Sequence, residues 1–175
     1  MRGLYGIPLR GLKEGIHLYD FKIDSNFFAS FEKSEIHEAM LEAAVTLLKR
    51  SAHMEIRVEI SGTVILTCDR CLELYTERLN SDDRVLLKYG DHREELDDEV
   101  IIIPYDESEF YLDQLIYEFA HLALPLKKTH HDDENGNSTC NPEMLEKLSR
   151  HMVKGPEDNN DPRWQELEKL KNINN

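Results

Sequence analysis

The chain has 175 residues, a formal net charge of −14 and three cysteines. A chain of about 150 residues buries roughly 70% of its unfolded surface, so an ordinary core is within reach without covalent staples. Three thiols cannot all pair internally, and Met1-Arg2-Gly3-Leu4-Tyr5-Gly6 has no long apolar run, which argues against a secreted disulfide scaffold and against a membrane partner. This composition predicts a soluble, cytoplasmic protein with reduced or metal-bound thiols, and leaves its oligomeric state open.

Residues 3–24 read as extended pieces punctuated by Gly3, Gly6, Pro8, Gly11 and Gly15. Residues 34–50 are ambiguous. Glu38-Ala39-Met40-Leu41-Glu42-Ala43-Ala44 favours helix by propensity, whereas Ala43, Val45 and Leu47 alternate with Ala44, Thr46 and Leu48 as in a buried strand. Met54, Ile56, Val58 and Ile60 alternate strictly with Glu55, Arg57, Glu59 and Ser61, the firmest strand pattern in the chain. Gly62 interrupts it as a bulge or bend would, and Val64, Leu66 and Cys68 resume the alternation. Further extended segments are predicted at 72–79, 85–89 and 100–103, the last stopped by Pro104.

The period then changes. Leu112, Leu115, Ile116, Phe119 and Leu122 recur at helical spacing, which predicts a helix over 111–122. Residues 127–141 are polar and read as a loop. Asn141 and Pro142 open a short helix to about 149, 155–160 is a polar linker, and Asp161-Pro162 opens a last helix with Trp164, Leu167 and Leu170 on one stripe. The reading is therefore an α+β protein, mainly antiparallel sheet in open or barrel-like form, with a helix near 111–122 and two short C-terminal helices. Residues 1–154 make one domain, and 155–175 a linker and an amphipathic helix that docks on its own domain or in a partner groove.

Cys68 and Cys71, in Thr67-Cys68-Asp69-Arg70-Cys71-Leu72-Glu73, are the residues best suited to chemistry. A Cys-x-x-Cys turn supplies two thiolates in the geometry that tetrahedral zinc requires, and Cys140 with His130 or His131 offers a completing pair. Zinc there would close a connection of nearly seventy residues and pin a polar loop that has little apolar surface of its own. A redox pair would instead need a thiolate of low pKa at a helix N-terminus, and the residues after Cys71 look extended. A third alternative is a strand-end turn used for packing or partner contact without metal. Arg70 suits contact with phosphate or carboxylate under each of these.

No glycine-rich phosphate loop, Gly-x-Ser-x-Gly elbow or His-Glu-x-x-His helix is present, and His121 reads as a packed or helix-capping residue. The charge is concentrated. Residues 91–118 hold eleven acidic side chains against Arg93 alone, either as a solvated acidic loop or as a face for a basic protein partner.

Four blocks stand in order: Gly62-Thr63-Val64 leading to Cys68-Asp69-Arg70-Cys71-Leu72-Glu73; Leu122-Ala123-Leu124-Pro125-Leu126; His130 with Cys140; and Asp161-Pro162-Arg163-Trp164 before Leu167 and Leu170. Over roughly residues 41–170 the chain resembles the YceD-like family, described as large ribosomal RNA subunit accumulation proteins and long catalogued as a domain of unknown function. The resemblance implies a non-enzymatic bacterial ribosome-biogenesis factor and favours the strand reading of 43–48. Some members carry extra cysteines in the loop that here holds only Cys140. The charge balance points to a basic ribosomal protein or assembly factor as partner ahead of pre-ribosomal RNA, with Arg70, Asp161, Arg163 and Trp164 as candidate contacts. The alternative is a thiol redox or zinc-handling protein built on Cys68 and Cys71.

Overall fold

A computed structural model describes residues 4–97 and 99–152. The expected helix from Asp161, with Arg163 and Trp164, lies outside the described residues. The chain divides into two units at the Cys140–Asn141 junction.

The first unit carries β1 (Gly6–Pro8), β2 (Gly15–Asp24), α1 (Ser25–Ala29), β3 (Glu38–Lys49), β4 (His53–Thr67), β5 (Leu74–Gly90), β6 (Glu94–Asp97), β7 (Val100–Pro104), β8 (Glu109–Tyr111) and α2 (Asp113–Leu122). Six strands form one sheet in the order β2-β3-β4-β5-β7-β6, while β1 pairs with β8 in a two-stranded ladder. The class is α+β and mainly antiparallel, as the patterning predicts. The sheet is open, with β2 and β6 as its edges, and is not closed into a barrel. One pair, β5 with β7, is parallel, because the β6–β7 hairpin places its second strand beside β5 and its first outside.

β4 is the spine. Met54, Ile56, Val58, Ile60, Val64 and Leu66 are all buried on one face. Gly62 lies within this strand and is not a bulge: its pairing to Leu41 and Leu79 is in unbroken register. Its φ of +146° is open to glycine, and a Cβ there would collide with the Met40 carbonyl oxygen. The buried positions are even-numbered on both sides of it, so no residue is inserted.

β3 settles the ambiguous segment as strand. Leu41, Ala43, Val45 and Leu47 are buried, Glu42 and Ala44 face solvent, and β2 and β4 pair on either side. Pairing on both edges with one face in the core overrides the local helix propensity. β5 is one strand of 17 residues where the sequence suggests two pieces. Its polar middle, residues 80–84, stays paired to β4, and on the solvent face Arg57 donates two hydrogen bonds of 2.6 Å to Asp82.

Leu115, Ile116, Phe119 and Ala120 are the buried side of α2, which packs against β4 and β5. The helix starts later than the period suggests because 109–111 is taken by β8. The short α1 had no predicted counterpart. It is capped by the Asp24 side chain, which accepts from the N–H groups of Asn26 and Phe27, and it buries Phe27 and Phe28. In the second unit α3 (Pro142–His151) follows the expected device, with the Asn141 side chain accepting from the N–H groups of Glu143 and Met144.

Candidate metal centre

β4 and β5 stay paired to Thr67 and Leu74, so residues 68–73 are the hairpin loop that joins them. Cys68 continues the inward parity of Val64 and Leu66. The Leu72 N–H donates to the Cys68 carbonyl at 2.9 Å, and the Cys68 N–H to the Glu73 carbonyl at 2.9 Å. Leu72 takes a left-handed conformation, φ +64°, and this tight turn swings Cys71 back toward the core, so that both thiols are buried.

The second half of the site comes from the loop after α2. The Asp69 N–H donates to the Lys128 carbonyl at 2.6 Å, and the Lys128 N–H donates to the Asp69 carboxylate at 2.8 Å. This two-way contact fixes the loop on the hairpin, and Lys128 Nζ adds a 2.8 Å pair with Glu35. Beyond it the chain doubles back. Asp133 accepts from the N–H groups of Asn135 and Asn137, Gly136 turns with φ +79°, Asp132 bridges to Ser138, and the Thr139 hydroxyl donates to the His131 carbonyl at 2.7 Å. That fold-back brings His130 and Cys140 to the same point.

Cys68, Cys71, His130 and Cys140 present ligand atoms that all lie within 4.8 Å of one another. The Cys68 and Cys140 sulfurs are 3.7 Å apart, His130 Nδ1 is 3.4 Å from the Cys71 sulfur and 3.7 Å from that of Cys140. A tetrahedral zinc ion with bonds of about 2.3 Å to sulfur and about 2.0 Å to nitrogen needs edges of about 3.8 Å between sulfurs and about 3.5 Å between sulfur and nitrogen. Those three separations match the edges of that tetrahedron, and all four donors are protein. His131, the other candidate, is excluded from it: its ring is exposed and its Nε2 lies 3.4 Å from a Glu77 carboxylate oxygen.

The surroundings prepare the thiols unequally. Burial raises the Cys68 pKa, but the backbone N–H groups of Cys71, Arg70 and His130 and the His130 ring outweigh it and bring the thiol down to about 6. Burial raises that of Cys140. Tyr75, whose ring centroid is 5.3 Å from that of His130, is pushed up to about 12 by burial and by Glu77, so it stays a neutral wall of the site. Arg70 is half-buried, and its backbone serves Cys68. The Asp69–Lys128 clamp was not legible in the sequence, where neither residue has a motif of its own. His121 is packed, with its ring against Tyr117 and its Nδ1 2.8 Å from the Tyr117 carbonyl.

Residues 56–171 match the family model described as large ribosomal RNA subunit accumulation protein YceD. The chain belongs to the YceD family. The match begins within β4, so β2 and β3 precede it, and it includes all four residues of the cluster. No match to a curated protein or to a solved structure accompanies it. Within this YceD-family chain, the Cys-x-x-Cys hairpin and the His130–Cys140 loop form one centre.

Proposed function

We propose that this chain is a non-enzymatic ribosome-biogenesis factor that supports accumulation of the large-subunit ribosomal RNA, and that its Cys₃His cluster holds a structural zinc ion. The description of the family supports the first part. The convergence of four protein donors within 4.8 Å supports the second, because a site closed by protein on every corner leaves no open position for substrate or water. The ion's role is to hold the 123–140 loop on the β4–β5 hairpin.

The net charge of −14 favours a basic ribosomal protein or assembly factor as the direct partner over bare RNA, whose phosphates such a surface repels. The thiol redox alternative draws support from the low pKa of Cys68, but all three thiols are buried, and an incoming disulfide or oxidant has no exposed sulfur to meet. The proposal is tested by depleting the protein and resolving ribosomal particles on a density gradient. Loss of large-subunit peaks, restored by the wild-type chain, is the expected result; unchanged peaks remove the ribosomal role.

A further inference from the structure

Between the β6–β7 hairpin and α2 runs a groove of about 740 Å³. Its floor is apolar, made by Ile101, Phe110, Leu115 and Phe119, and at its lip Leu122 is 78% exposed. Its walls are acidic: Glu95 and Asp97 stand on β6 and Glu118 on α2. Arg93, the one arginine or lysine on the wall, lies over the Phe110 ring, 5.4 Å from its centroid. The segment that supplies Phe110 and Tyr111 to the groove also carries Asp106, Glu107, Glu109 and Asp113 in sequence, outside the lining.

We infer that this groove receives an extended basic peptide segment of a partner protein, with a leucine or a similar apolar side chain on the Ile101–Phe119 floor and flanking lysines or arginines against Glu95, Asp97 and Glu118. An apolar floor alone does not choose an occupant. The choice comes from charge complementarity, since carboxylates on both walls repel phosphate and acidic peptides and attract cationic side chains while the floor buries the residue between them. The inference rests on the proposed role with a basic ribosomal protein or assembly factor, and gives that partner a docking groove and a sequence chemistry.

The test is fluorescence anisotropy with the full chain and a labelled synthetic peptide alternating lysine or arginine with leucine. Three results are expected: Glu95→Lys with Glu118→Lys weakens binding at least about tenfold; Glu14→Lys with Glu38→Lys, the same change in net charge at exposed sites elsewhere, weakens it by less than about threefold; and replacing the leucines of the peptide by serine weakens it about tenfold. Glu95→Gln with Glu118→Gln gives an intermediate loss and guards against misfolding of the lysine variant. Equal losses in the groove and control variants, indifference to the leucines, or tighter binding of a single-stranded RNA oligonucleotide than of the peptide overturns the inference. In cells the two ideas separate. Normal large-subunit peaks with the Glu95→Lys, Glu118→Lys chain as sole copy overturn the groove alone, whereas normal peaks after depletion overturn the ribosomal reading.

Discussion

The sulfurs of Cys68 and Cys140 stand 3.7 Å apart although 72 positions separate them in the chain. One belongs to a hairpin tip and the other to the end of a polar loop, and the Asp69–Lys128 contact is what carries one to the other. If zinc fills the cluster, purified protein contains one zinc per chain, and His130→Ala lowers that content well below one while His131→Ala leaves it unchanged. Elemental analysis after exhaustive dialysis reads both. Removing the ion with a chelator lowers unfolding free energy by at least about 3 kcal/mol, measured by denaturant titration.

Acid should release the ion. Coordination requires thiolates, so zinc affinity falls as the pH is lowered and protons compete for the three sulfurs. In the metal-free chain a thiol whose folded pKa lies below its unfolded value of 9.0 contributes stability that is present above that unfolded value and is lost as the pH falls through the folded one. The Cys68 contribution therefore declines between pH 9 and pH 6. Ultraviolet thiolate absorbance of the metal-free chain should show one thiol ionising near 6 and another, Cys140, above the usual thiol range; three thiols titrating together near 9 would contradict the geometry.

Asp69 touches none of the four ligand atoms by any hydrogen bond described, yet its carboxylate anchors the loop that delivers two of them. Asp69→Ala is expected to weaken zinc binding about tenfold to a hundredfold, the range seen when groups that orient metal ligands are removed. Competition against a chromogenic chelator measures it. An unchanged affinity would mean that the loop is held by the metal alone.

Gly62→Ala should be among the most damaging small substitutions in the sheet. Its φ of +146° is strained for any side chain, and the added methyl meets the Met40 carbonyl on the neighbouring strand. A loss of about 2–4 kcal/mol is expected from strain and overpacking together, read as a shift in denaturant midpoint without change in slope.

Much of the fold was legible because period and burial agree. The alternation from Met54 to Cys68 gave β4 and the inward direction of the first thiol, and the stripe from Leu115 to Phe119 gave α2. β3 was not legible locally, because Glu38 to Ala44 has helix-forming residues whose strand state is set by partners 15 or more residues away in sequence, such as Gly62 and Ile60. The unbroken β5 was hidden for a similar reason: Asn80 to Arg84 is polar and breaks the apolar pattern, and its strand state comes from pairing along β4, with Arg57 bonded to Asp82. Of the bulge or bend that Gly62 suggests, the bulge falls, and the even parity of Ile60 and Val64 already argues against an inserted residue. At the cluster, residue types nominated Cys68, Cys71, Cys140 and a histidine, but the choice of His130 over His131 depends on the fold-back at Gly136, which spacing does not reveal.

The position of Cys140 has a consequence for biosynthesis. Among the described residues every strand ends by Tyr111 and α2 ends at Leu122, so a nascent chain has made these strands before the last donor of the cluster emerges. A metal held by all four groups would act as a seal on a sheet already made, and a chain truncated between Leu122 and Cys140 would carry every described strand yet lack the closing ligand.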